Sequence, residues 1–552
     1  MKHLLRSLSA AAVLVTATTS PQLDACTNIL VTKGASKDGS TFITYAADSH
    51  TLYGELYFKA GGRHLPGQMR EIREWDSGTS WDAGRIIGSI KEAPITYTRV
   101  GNMNEHQVMI GETTFTGRKE LAGPSGTVDY GSLMYIALER AKTAREAIDV
   151  ITKVVDEYGY ASTGESFSIA DPNEAWIFEI IGKGKGQKGA VWVAVKVPDG
   201  MISAHANQAR IRQFPLNDPK TAIYSKDLIS FAREKGFFKG EDKNFSFTDA
   251  YCPVSFGSLR GCEGRVWSVF NRACPSQKIS MDFVKAVPGA KPMPLCVKPD
   301  QKLDVHDVME LMRDHFTGTD FDMTQDVGAG PYKLPYRWRP MGFKVGDETY
   351  IHERAISTQQ TGWSMVAQAR SWLPNPIGGV LWFGVDDTYC TVYVPMYAGI
   401  KEAPKAFAVG TGNFDSFSWD SAFWTFNFVS NYTYSRWSDM IVDVQKVQRE
   451  LEGKFLAEQD EIDAAAKKLF EQSPGLAKDY LTQYSAKQTE LTMARWKKLG
   501  ETLIWKYLDG NPKNEKGEVT HPKYPQDWYE RIAKERGEIL KVKKVKGLAE
   551  EE

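Results

Sequence analysis

The junction at Cys26 constrains this chain more than any other feature. Upstream, Lys2 and Arg6 lead into an apolar run from about Leu8 to Ala17, and the small residue Ala25 stands directly before the cysteine. A membrane span needs about 20 apolar residues, so this layout reads as a removable export leader. Downstream comes CTNILVTKGASKDGSTFITYAADSH, two β-patterned runs (Thr27 to Lys33 and Thr41 to Asp48) with Asp38-Gly39 at the turn. Such a pattern predicts a hairpin, and a hairpin returns its far end, Asp48, to the neighbourhood of Cys26.

Three roles fit a cysteine at this place. It is a buried or disulfide-bonded residue, a lipid attachment point behind Leu23-Asp24-Ala25, or a nucleophile at a new N-terminus. The third has a specific chemical logic. An α-amine titrates near 7.7–8.0 and a thiol near 8.5, so one residue would carry both nucleophile and base around neutral pH. Asp24 suits a lipidation box poorly. Leu23 is also a poor residue three places before a leader cut, whereas Val15-Thr16-Ala17 offers an upstream site. A short propeptide removed by the protein itself is therefore expected.

The opening CTNILV, the DGS turn and Asp48-Ser49 resemble the start of mature C69-type cysteine dipeptidases. These are N-terminal-nucleophile hydrolases related to bile salt hydrolases and penicillin V acylases. The resemblance continues, in order, through GNMNEHQVMIGETTF (Gly101 to Phe115), MISAHANQARI (Met201 to Ile211) and GRVWSVF (Gly264 to Phe270). It implies an α+β fold, a four-layer αββα sandwich. It also implies roles by position. Asp48 would hold the α-amine, Asn207 would offer an amide N–H to the oxyanion, and Arg265 would line the site. Thr113 falls near the place of an oxyanion asparagine in the acylases. Tyr45 stands where relatives often carry an arginine, as a phenolic donor or pocket wall. Glu112, beside Thr113, is a candidate for a substrate ammonium. His50 and His205 are expected to be structural, and Asn104 to shape the loop before its strand.

The remaining pattern sets the organisation. The 552 residues divide into a leader (1–25), a hydrolase region (26–435) and a helical C-terminal region (436–552). A strand is expected over Gln107 to Phe115. Helical spacing follows from Leu133 to Val155, with Thr143 and Glu146 at capping-box spacing marking either a break or a continuous helix. A meander is expected over Ser166–Ala170, Ala175–Ile181 and Val191–Val197, turning at Pro198-Asp199-Gly200 into Met201–His205. Gly182 to Gly189 lacks the phosphate-loop pattern and reads as a hairpin loop. Ile441, Val444, Val447, Leu451 and Phe455 share a helix face, further helices are expected around Leu481 to Trp496, and the charged tail is expected to be mobile. Trp and Tyr crowd the stretch from Tyr332 to Trp437, which fits aromatic-lined pockets as well as core.

A net charge of −1 gives no reason to expect nucleic acid or an anionic membrane as partner. Besides Cys26 there are five cysteines, an odd number that leaves at least one unpaired within the chain. None forms C-x-x-C and no histidine pair has H-E-x-x-H spacing, so neither a metal nor another cofactor is expected. The sequence thus points to an exported enzyme, periplasmic or secreted, that cleaves dipeptides or short peptides. An amidase acting on non-peptide acyl amides and a non-catalytic lipoprotein anchored through Cys26 are the alternatives. Homo-oligomerisation stays open.

Overall fold

The computed structural model describes residues 26–75 and 84–543. The leader and its cut positions lie outside the described residues. Asn28–Val31 (β1) and Thr41–Asp48 (β2) pair antiparallel as the expected hairpin, with Leu30 opposite Ile43. The turn between them is longer than the dipeptide alone. A 3₁₀ turn at Lys33–Ala35 precedes it, and Asp38 accepts from Ser40 N–H while Gly39 takes φ 86°. That left-handed conformation suits glycine, which has no Cβ to clash.

Met109–Phe115 (β3) is the strand expected from Gln107. Two helices follow, Tyr130–Arg140 (α1) and Ala144–Tyr158 (α2). The Thr143 hydroxyl accepts from Glu146 N–H, so the capping pair marks a break. The meander forms Gly164–Ala170 (β4), Ala175–Gly182 (β5) and Ala190–Lys196 (β6), and Ile202–His205 (β7) follows. The glycine-rich segment joins the paired strands β5 and β6 as a hairpin loop. Gly264–Ala273 (α3) carries GRVWSVF. Later come Thr361–Ala369 (β8), Val380–Val385 (β9) and Val394–Tyr397 (β10), then four helices: Ala422–Tyr434 (α4), Trp437–Gln472 (α5), Pro474–Lys506 (α6) and Gln526–Leu540 (α7).

Two large antiparallel sheets dominate the described residues. One runs Cys296–Val297, β7, β1, β2, β8, β9, β10. The other runs Ala222–Tyr224, β6, β5, β4, β3, Met103–Asn104, Arg99–Val100, Phe58–Lys59. β1 and β2 pack against β3 and β4, while α1 and α2 cover the second sheet and α4 to α6 lie against β9 and β10. The architecture is therefore mixed α and β, with a helical C-terminal region. Strands buried on both faces explain the nearly continuous apolar runs, such as AWIFEIIG in β5, which is buried at every position.

Gly111 in β3 lets the two sheets approach closely. A Cβ there would stand 2.8 Å from the Asn28 side-chain amide and 3.1 Å from Tyr45 Cβ. The Asn28 amide fits into this gap, with its oxygen facing Glu112 N–H at 2.9 Å and its nitrogen facing the Glu112 carbonyl at 3.1 Å. Much of the aromatic stretch becomes core, with Tyr336, Tyr389, Tyr434 and Trp437 packed around His315. α5 buries Ile441, Val444, Val447, Leu451 and Phe455 as predicted. The charged tail is helical as far as Leu540, although α7 buries none of its residues. All six cysteines are free thiols in this structure.

Candidate active site

Cys26 lies on the wall of a cavity of about 680 Å³, together with Tyr45, Asp48, Glu112, Thr114 and Trp363. β1 and β2 deliver Cys26, Tyr45 and Asp48, and β3 delivers Glu112 and Thr114. The cysteine is held from its C-terminal side. The Arg265 guanidinium donates to Cys26 O at 2.6 Å and to Thr27 Oγ1 at 2.8 Å. It also donates to Asn207 Oδ1 at 2.9 Å, and the Asn207 amide donates to Thr114 O at 2.7 Å. Asn207 has φ 59°, a left-handed conformation that asparagine tolerates better than most residues. One proton of its amide is thus committed to Thr114, and Asn207 does not itself line the cavity. Arg265 is wholly buried and grips the backbone beside the sulfur; it does not line the cavity.

Asp48 returns to Cys26 as the hairpin requires. Its carboxylate accepts from Arg354 and, at 2.6 Å, from Thr361 Oγ1. Arg354 has no counterpart among the sequence motifs. It brings a cation to the site from some 300 residues away, where Tyr45 had removed the expected arginine. The Tyr45 phenol donates to Glu112 Oε1, and its ring meets Trp363 edge-on at 4.7 Å, so both suggested roles of Tyr45 occur together.

Glu112 is the carboxylate nearest the thiol, with Cys26 Sγ 3.8 Å from Oε1. Burial pushes its carboxyl above the ordinary value, although hydrogen bonds from Glu165, Tyr45 and Cys26 oppose the shift. Among the described residues no cation is paired with it. Burial also raises the Cys26 thiol well above its usual value, and the Glu112 and Asp48 charges add to this, against a hydrogen bond from the Asp48 backbone. A thiol in this setting stays protonated at neutral pH, so attack needs a base that can take its proton.

Thr113 departs from expectation. Its hydroxyl bonds His205 Nδ1 at 2.7 Å and it does not line the cavity; Thr114, one residue on, does. Side chains alternate along a strand, so a one-residue difference in position moves the function to the other face. His205 also meets Ser168 Oγ at 2.8 Å and is buried, which drops its pKa to about 3 and keeps it neutral and structural. His50 contacts Arg339. Asn104 donates to Leu138 O and Ala141 O and accepts from His106 and Val108 N–H, which shapes the loop as predicted. Among the described residues no group of three His, Cys, Asp or Glu side chains is placed to hold a metal, and no helix is long and apolar enough to cross a membrane.

The cavity's described lining carries Asp48, Glu74, Glu112 and Asp129 against Arg85. Arg85 pairs with Glu74 at 3.3 Å, Arg354 pairs with Asp48, and Asp129 accepts from Trp75 and Ser132 N–H. Glu112 and Asp129 thus have no cation partner among the described residues, and of the two it is Glu112 that contacts the Cys26 thiol. Asp129 and Trp75 carried no recognisable motif. The capping role of Asp129, a polar residue just before a helical run, was the only trace of it.

Comparison with known proteins places the chain in a family. The model of peptidase family C69 matches residues 74–450. A probable dipeptidase of Latilactobacillus sakei is 25% identical over 70% of this chain and 76% of its own length. Probable dipeptidase A of Streptococcus pyogenes is 26% identical over 72% and 80%, and a probable dipeptidase of Salmonella dublin is 26% identical over 68% and 82%. With the family match covering more than half of its length, this chain belongs to peptidase family C69.

Proposed function

We propose that the protein is a cysteine dipeptidase whose nucleophile is Cys26, placed at the N-terminus by removal of an exported precursor's leader, on an αββα N-terminal-nucleophile scaffold. The observation that carries the reading is the position of Cys26. It lines the cavity with its sulfur beside Glu112, its carbonyl is clamped by Arg265, and β2 brings Asp48 alongside.

In this mechanism the freed α-amine accepts the thiol proton, the thiolate attacks the peptide carbonyl, and the amine returns the proton to the leaving nitrogen. Water then cleaves the thioester. The amine is needed because burial and nearby carboxylates hold the thiol protonated. Asp48, fixed by Arg354 and Thr361, orients the amine. Glu112 receives the substrate's α-ammonium. The nitrogen of an aminoacyl group lies about 2.5 Å from its carbonyl carbon, so an acid 3.8 Å from the sulfur is within its reach.

The test is an assay of the processed protein on free dipeptides, their N-acetylated forms and acyl amides such as bile salt conjugates, alongside intact mass. Hydrolysis of free dipeptides by a protein beginning at unmodified Cys26 supports the reading. Activity on acyl amides alone, or an acyl adduct on Cys26, overturns it.

A further inference from the structure

A second cavity, of about 200 Å³, shares Trp75 with the catalytic cavity. Its lining includes Lys59, Arg70, Arg73, Ser132 and Tyr135, with one carboxylate, Glu71. Behind it one carboxylate serves three cations. Glu139 of α1, fully buried, accepts from Lys59 at 2.8 Å, Arg70 at 2.6 Å and Arg99 at 2.9 Å. Arg73 pairs at 3.2 Å with Glu71 near the surface. Three cations, Lys59, Arg70 and Arg73, thus line the cavity, against Glu71 in the same wall and Glu139 behind it.

Two of these cations sit where water is scarce. The Arg70 side chain is 12% exposed and Lys59 31%. Burial lowers the Lys59 pKa, and Arg70 and Arg99 push it the same way while Glu139 opposes them. Glu139 is held down to about 2 by its three cations despite burial, so it stays ionised and cannot supply a second negative charge. Partly buried cations clustered on one carboxylate are stabilised by a further anion, and guanidinium forks suit oxyanions and carboxylates.

We propose that this cavity binds a small oxyanion or carboxylate through Lys59, Arg70 and Arg73, and that the catalytic cavity senses its occupancy through Trp75. The aromatic wall gives the coupling a physical route. Trp75 packs on Tyr135 at 5.1 Å and on Tyr57 at 5.3 Å, and Tyr57 lines the catalytic cavity while its carbonyl accepts from Arg99 at 2.6 Å.

The probe is inorganic phosphate, titrated calorimetrically into the processed protein at pH 7 and low salt. Saturable binding is expected. Arg70→Gln should weaken it about tenfold or more, the worth of a charge-assisted hydrogen bond. Arg73→Gln, whose side chain already reaches solvent, should weaken it without endangering the fold. Glu139→Gln removes the competing carboxylate, so phosphate should raise its melting temperature more than the wild type's. Competition with dipeptide substrate would identify the anion as the substrate's own carboxylate, and non-competitive behaviour would identify a separate ion. No saturable binding to the wild type, binding unchanged in both arginine variants, or equal melting gains in Glu139→Gln and wild type would each overturn the proposal.

Discussion

Two buried acidic clusters, one at Cys26 and one at the β9–β10 connection, show how similar chemistry is put to different ends. Asp387 accepts from Tyr336 OH at 2.7 Å, Ser357 Oγ at 2.8 Å, Tyr434 OH at 2.9 Å and Tyr389 N–H at 3.0 Å. Its neighbour Asp386 accepts from Asn427 at 2.8 Å and from Ser430. Tyr336, Ser357, Tyr434 and Ser430 come from packed core, Asn427 and Tyr389 are half-buried, and neither aspartate lines a described cavity. Glu112 also has a phenol and a thiol beside it, but it forms part of a cavity wall. The lesson concerns where a buried acid finds its partners. At the β9–β10 connection the fold provides them, and at Cys26 there is space for a ligand to do so.

The contrast breaks most sharply at Cys26. Cys26→Ala should reduce turnover by at least about 10³-fold, because it removes the attacking atom itself, while leaving the melting temperature near that of the wild type. A dipeptide assay paired with calorimetry checks both halves. Asp387→Ala is the mirror image: loss of several buried hydrogen bonds should cost about 3 kcal/mol in denaturant unfolding, with kcat/KM of the folded fraction kept. If Asp387→Ala lost activity without losing stability, the division between the clusters would fail.

Glu112→Gln should lower kcat/KM on unblocked dipeptides by about 10- to 100-fold, the range for a lost charged hydrogen bond, with little change in stability. Equal losses on N-acetylated substrates would remove the ammonium role. A smaller effect is expected with pH. Burial raises the Asp386 carboxyl to about 7, against about 3.9 when unfolded. Between those values the folded state holds a proton that the unfolded state has released. Raising pH through that window therefore weakens the fold, by at most about 1.4 kcal/mol per unit, and the effect levels off above about 7. Asp386→Asn should remove this slope from the difference between its pH–stability curve and that of the wild type. Smallest of all, Thr113→Val should cost about 1 kcal/mol of stability through its lost bond to His205 while leaving KM unchanged.

Local chemistry was legible in the sequence where it repeats at short range. The hairpin from Cys26 to Asp48, the meander, the Thr143 cap and the α5 face all announced themselves by periodicity or turn residues. The contacts that complete the site did not. Arg354 reaches Asp48, and Arg265 reaches Cys26, across hundreds of residues; spacing carries no trace of such pairings, and only the motif around Arg265 hinted at a place near the site. Thr113 failed for a different reason. Strand alternation was readable, but which parity faces the cavity depends on how β3 meets β1 and β2 at Gly111, a tertiary fact.

The Arg265 clamp bears on a general weakness of chain ends. Terminal residues fray, and a reactive group on a fraying end samples many positions in which it cannot attack. Two hydrogen bonds from one buried guanidinium, to Cys26 O and Thr27 Oγ1, tether the backbone immediately behind the sulfur. Should cleavage make Cys26 the first residue, the freedom normally gained by a new terminus would be withheld from it. The entropy of orienting the nucleophile would then be met during folding and not at each turnover.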